Sequence, residues 1–355
     1  MSDYKFDVMT YGGAVCDGVT DDTAAVQKTI DAAAAILAAN GSPGPIYFPP
    51  APMPCKVDTL TWPKNGRGWL YTLFDNGLLA NRINIGSFNA FVGRGGTFQT
   101  GTSFPFGPTS SWAQWQKAPN TDAFVDLTSA SEVYFKCIEI NAFSKVAVHV
   151  HGWCVNIKLD TCVVGGSFVV EKGGFNLRII DSTLTAYLPN VALSITDFGY
   201  VTVRGGFLST VAIISSVPSA FMDGYIFDDL LSENLKGVPW LTINGNIGSE
   251  VSNISLSNIR IADPVGSAPL LLNQSTGTSV VIRNCGWNDG VSLVDPASIP
   301  NGLSGIIESL GARATYKLAK QCFQWGQFSS VQGPAIYYAN PTFKQYIGEA
   351  MQVNP

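Results

Sequence analysis

The chain has 355 residues, a net charge of −5, 46% apolar but only 13% charged residues, and 36 glycines. That length supports a sizeable core, and sparse charge with abundant glycine excludes a charged helical bundle in favour of a turn-rich β protein. Without a cluster of Lys and Arg, nucleic acid is not an expected partner. No stretch reaches the length of a membrane span, so no membrane insertion is expected.

The opening segment, MSDYKFDVMTYGG, lacks a basic stretch followed by an apolar one, and no signal peptide is visible in it. Asp22 to Ala39 is the one long helical pattern, with Val26, Ile30, Ala33 and Leu37 at helical spacing. Asp17-Gly18 reads as a turn ahead of it. Thr20 or Asp21 is the expected cap, and Asp21 and Asp22 place negative charge at the positive end of the helix dipole. A calcium site would need more oxygen ligands than this loop offers, so the three acids are read as structural. The seven cysteines (Cys16, Cys55, Cys137, Cys154, Cys162, Cys285 and Cys322) have irregular spacing and no CxxC pair. They are expected to be small buried hydrophobes of a protein made in a reducing compartment, and neither a metal site nor a cofactor is expected.

From Thr121 onward, short β-branched segments alternate with Gly, Asn, Asp and Ser. Self-similar stretches begin at Val133 (VYFKCIEINA), Val155 (VNIKLDTCVV), Leu177 (LRIIDSTLTA), Val201 (VTVRGGFLST), Tyr225 (YIFDDLLSEN), Ile254 (ISLSNIRIAD) and Val280 (VVIRNCGWND). Asp181, Gly205, Asp229, Asn258 and Asn284 share one offset, where a left-handed corner is expected. A unit with two or three short strands cannot bury its apolar face alone and must stack on its neighbours. The expected architecture is all-β, a parallel β-helix. Val133, Phe135, Val155, Ile157, Leu177, Ile179, Val201, Val203, Ile254, Leu256, Val280 and Ile282 are expected to face inward.

The run YGGAVCDGVTDDTAAVQKTIDAAAA…GPIYFPP, from Phe6 to about Pro50, resembles the N-terminal signature of the pectate-lyase-like superfamily. Those proteins are right-handed, single-stranded parallel β-helices active on glycans, and they include many bacteriophage tailspikes. The resemblance implies that the helix closes the N-terminal end of the coils. It also implies a polysaccharide partner, a virion or extracellular location and a homo-oligomer, most simply a trimer. Residues 1–50 are then the cap, 51–120 irregular early coils with aromatic-rich insertions, 121–311 regular coils, and 312–355 a C-terminal cover or oligomerisation segment, with its aromatic stretch from Tyr316 to Tyr346.

The family's hydrolase motifs Gly-His-Gly and Arg-x-Lys are missing, Asp228-Asp229 is the only downstream Asp-Asp, and no calcium-lyase cluster of acids is found. A different site follows from stacking the first strands of three coils, FVDLT, VHVHG and FVVEK. With Val125/Leu127, Val148/Val150 and Phe168/Val170 inward, Asp126, His149 and Glu171 become outward neighbours spaced by about 4.8 Å. Two acids beside an imidazole suit general acid/base work on a glycosidic bond, with Asp126 or Glu171 as the acid. Trp112 and Trp115 offer flat faces for sugar rings. The reading is therefore a glycan-recognising β-helix that binds and in one version cleaves a polysaccharide, as hydrolase or lyase. Its alternative is a non-catalytic structural component of a virion or extracellular assembly.

Overall fold

A computed structural model describes residues 5–66, 68–93, 97–100, 123–186, 190–217, 222–233, 238–245, 251–262, 271–273, 279–287 and 304–310. The chain divides into two compact units, Met1–Asn190 and Val191–Pro355. Every strand pairing among the described residues is parallel, the expected all-β parallel β-helix. Right-handed coils follow from the crossover rule for parallel strands.

In the first unit each regular coil supplies three strand segments. The coil running from Ser131–Lys136 continues into the long strand Glu139–His151, whose two halves pair separately with the next coil. One inner ladder runs Phe91, Phe135, Leu159, Ile179, and beside it runs Val133, Ile157, Leu177. All are buried, and Phe91 stacks on Phe135 at 5.2 Å. In the second unit the corresponding ladders are Val201, Tyr225, Ile254, Val280 and Val203, Phe227, Leu256, Ile282. All expected inward residues are buried except Val155, which is half-exposed. Its neighbour Asn156 takes a left-handed φ of 58° and drops out of the ladder, so Val133 pairs with Ile157 and Val155 with Phe175. The apolar alternation in VNIKLD is therefore read two residues too early by sequence alone.

The corner column takes the expected left-handed backbone at Asp181, Gly205, Asp229 and Asn258, and Cys137 and Thr161 share it. Corner amides bond to the next coil, as from Cys137 to the Asp160 carbonyl and from Asp229 to the Ser257 carbonyl. Glycine, Asn and Asp meet least strain in this backbone, and Thr161 takes it although β-branched.

The helix spans Thr23–Ala38 and buries Val26, Thr29, Ile30, Ala33 and Leu37 along one face. Asn40, at φ 64°, and the amide of Gly41, bonded to the Ile36 carbonyl, end it. Its cap position is Asp22, one residue later than expected. The Asp22 carboxylate turns back to accept the amides of Val15 (2.7 Å) and Cys16 (2.9 Å), while Asp21 accepts the Thr23 amide and Asp17 those of Val19 and Thr20. All three acids satisfy backbone donors. The helix also closes a strand edge: Gln27 bonds both the amide and the carbonyl of Thr61, and Thr23 accepts the Asp58 amide. Those bonds belong to the first long strand, Cys55–Trp62, whose backbone would otherwise lack partners on that side.

One expectation is corrected. Cys16 and Cys55 form a disulfide that ties the loop before the helix to that same strand. Cys154, Cys162 and Cys285 are buried free thiols, as read from the sequence, whereas Cys137 is exposed. Pairing of Cys16 with Cys55 was invisible in the chain because the two are 39 residues apart and meet only through the coil geometry. Cys322 and the segment Tyr316–Tyr346 lie outside the described residues.

Candidate functional site

Two faces of the first unit gather polar side chains. The first carries the acids and histidines. Val125, Leu127, Val148, Val150, Phe168 and Val170 all point into the core, so the residues between them point out. Asp126 lies opposite His149 in the ladder, but Glu171 lies opposite His151. The three residues are therefore not one row. Instead the side chains reach diagonally: His149 Nε2 is 3.1 Å from Glu171 Oε1, and His151 Nε2 is 2.8 Å from Asp126 Oδ1. The two imidazoles stack at 4.3 Å with planes 15° apart. His151, noted in the sequence only as the second of two histidines, is a full member of the group.

Asp126 is also held from its far side. Arg82 pairs with Oδ2 and Thr128 donates to Oδ1 at 2.9 Å, leaving Asp126 only 5% exposed. Burial by itself would raise its pKa, but hydrogen bonds from Thr128 and His151, with the charges of His151 and Arg82, outweigh burial and hold it below the usual carboxylate range. A carboxyl held low and covered is a poorer proton donor than an open one, so of the two residues expected for the acid role Glu171 is the more accessible. After His151 the chain turns through Gly152 at φ 72°, where a Cβ would lie 2.5 Å from Ser129 Oγ; only glycine fits this corner.

The second face was not singled out from the sequence. Tyr71, Ala90, Tyr134, Lys158 and Arg178 form one outward ladder across five successive strands. Beside it, the left-handed residues Glu132 (φ 57°), Asn156 and Asn176 (φ 68°) form a second row, with Asn176 donating to Asn156 and Asn156 to Glu132. Trp69 stands at the end, its ring 6.5 Å from that of Tyr71. Together they line an open groove of about 530 Å³. Ala90 makes the dip: its side chain is too short to fill the space between Tyr71 and Tyr134.

The groove is pre-arranged by its own bonds. Tyr134 donates to Asp160 at 2.9 Å, Lys158 bonds Asp160 at 3.2 Å and lies 4.9 Å from the Tyr134 ring centroid, and Arg178 donates to Asn176 at 3.0 Å. Burial, then the bond and charge of Asp160, push the Tyr134 hydroxyl up to about 12, so it stays a donor. Flat apolar rings, amides and a guanidinium in one trough match the mixed apolar and hydroxylated faces of a sugar. Trp69 and Tyr71 lie within WPKNGRGWLYTLF, whose aromatic richness was the available signal. Trp112 and Trp115, the expected sugar platforms, lie outside the described residues.

Fold and faces together define an all-β parallel β-helix with polar rows on its outer strands. In fold the chain is similar to the surface adhesin PfbA of Streptococcus pneumoniae: over 94% of this chain and 90% of the adhesin, the TM-score is 0.58 at 12% identity. A second structure of that adhesin gives a TM-score of 0.51 at 15% identity, over 94% of this chain and 97% of the other. No protein-family model matches the chain, and no curated protein matches it. Among the described residues no helix is long and apolar enough to cross a membrane.

Proposed function

We propose that the protein is a glycan-binding β-helix that works at a surface, holding a polysaccharide in the groove between Trp69 and Arg178. The observation that carries this reading is the ladder Tyr71, Ala90, Tyr134, Lys158, Arg178, which runs in register across five strands and sets aromatic and polar groups along one trough. Trp69 and Tyr71 supply stacking faces, Asn156 and Asn176 amide bonds, and the exposed Arg178 a fork for a carboxylate-bearing sugar. An outside location is supported by the Cys16–Cys55 disulfide, since such bonds persist in oxidising surroundings, and by the fold shared with a surface adhesin. Binding rather than cleavage is the reading the groove favours, because among the described residues Glu132 is the only acid lining it and its carboxylate is bonded to Asn156. Cleavage in the tailspike manner would have to use the other face, where His149 and Glu171, each partly exposed, are the groups open to a substrate.

The test is a panel of neutral and acidic polysaccharides, read by calorimetry together with reducing-end and unsaturated-uronate assays. Binding of one glycan class that falls about tenfold or more in Trp69→Ala and Tyr71→Ala, with unchanged circular dichroism, is the expected result. A loss of tenfold corresponds to about 1.4 kcal/mol. No glycan bound by the parent would leave the scaffold role instead, and full binding by both variants would move the site off this groove.

A further inference from the structure

The histidine face carries a second, independent assignment, which does not rest on the glycan reading. His149 and His151 are two residues apart on one strand, so both rings leave the same side of the sheet. One ring nitrogen of each and a carboxylate oxygen of Asp126 all lie within 4.8 Å of one another. Glu171 Oε1 stands 3.1 Å from His149 Nε2. Two imidazoles and the Asp126 carboxylate, drawn from two adjacent strands, gather at one place, with Glu171 of the next strand held against His149.

We propose that Asp126 Oδ1 and one ring nitrogen each of His149 and His151 bind a divalent transition-metal ion, with Glu171 orienting His149 from the next strand. Around an ion with bonds of about 2.0–2.2 Å, ligand atoms sit roughly 3–4 Å apart. The present contact of 2.8 Å between His151 and Asp126 therefore needs only to open slightly as side chains rotate. Imidazole with carboxylate selects Zn²⁺, Co²⁺, Ni²⁺ or Mn²⁺ over Mg²⁺ and Ca²⁺, which favour all-oxygen sites. Arg82 takes the other oxygen of Asp126, so Oδ1 is the one left toward the histidines, and this outer contact fixes the carboxylate's orientation. Thr128 Oγ1, 2.8 Å from His151 Nε2 and donating to Asp126 Oδ1, borders the ion's place and turns aside when the ion binds. His149, His151 and Glu171 have side chains 24%, 26% and 29% exposed, so an ion there is reached from solvent and keeps a coordination position for water or a ligand.

The experiment uses the full chain, free of any histidine tag and stripped with chelator, titrated with Co²⁺ by visible absorption and calorimetry and then with Zn²⁺ in competition. Expected are one Co²⁺ per chain with d–d absorption, its displacement by Zn²⁺, and a rise in unfolding temperature with metal. His149→Ala and His151→Ala should each weaken binding on the order of 10–100-fold or more, Glu171→Gln less. Because His151 also holds Asp126, His149→Gln serves as the milder variant should His151→Ala unfold. Absence of Co²⁺ absorption together with an unshifted unfolding temperature overturns the proposal. So does undiminished binding in the folded His149 variants, or a response to Ca²⁺ and Mg²⁺ alone.

Discussion

Strands Val125–Thr128 and Ser131–Lys136 follow each other in the same coil of the same unit, yet their outward rows behave in opposite ways. On the first, Asp126 alternates regularly with Val125 and Leu127, and its short side chain is caught by Arg82, Thr128 and His151 until it is almost covered. On the second, left-handed residues at Glu132, Asn156 and Asn176 interrupt the alternation and splay an extra polar row beside the ladder of Tyr71, Tyr134, Lys158 and Arg178. Regular alternation thus leads here to a closed charge cluster, and interrupted alternation to an open trough. A polar residue on a β face says little until its cross-strand neighbours are known.

The largest expected effect falls on the core that supports both faces. Ile179→Ala, which empties a fully buried position beneath the trough, should cost about 2–5 kcal/mol in chemical denaturation while the folded fraction keeps its glycan affinity. An equal stability loss from Tyr71→Ala, half exposed on the trough, would erase the distinction between wall and surface.

Next comes the closed cluster. Arg82→Met leaves the covered Asp126 carboxylate without its cation, and about 1–3 kcal/mol of stability should be lost; the figure is below that for a fully buried pair because the Arg82 side chain is 34% exposed. Asp126 adds a pH signature. Its folded pKa lies below the unfolded value, so its contribution is fully present above that value of 3.8 and is lost as pH falls through the folded pKa. Stability of Asp126→Asn should therefore fall less steeply than that of the parent below about pH 4. Parallel acid-unfolding curves would mean that the cluster does not hold the carboxylate ionised.

The smallest effect tests the trough's second row. Asn176→Ala puts a residue with no amide at φ 68° and should cost about 1 kcal/mol, whereas Asn176→Gly relieves the backbone and loses the bonds to Asn156 and Arg178. If the glycine variant binds glycan as the parent does, the amide row serves the fold and not the ligand.

Much of the fold was legible in the chain. The spacing of Val26, Ile30, Ala33 and Leu37 marked the helix, the repeats marked the coils, and Asp181, Gly205, Asp229 and Asn258 marked a left-handed corner, because helical period, strand period and backbone sterics act locally. The sites were legible only in part. Asp126, His149 and Glu171 do share one outward face, but aligned repeats imply one residue per rung, and a diagonal side-chain contact does not follow that count.

What the sequence by itself determined is therefore the class of fold, its capping helix and most of its inward residues: each depends on a pattern repeated over neighbouring positions. Tertiary structure alone decided that Cys16 meets Cys55, that Arg82 covers Asp126, that Val155 turns out while Ile157 turns in, and that Trp69 and Arg178 share a trough. Each of these joins residues more than a coil apart, or hangs on a single left-handed residue that slips the register. A slip of one position exchanges core for surface, and nothing local in the chain announces it.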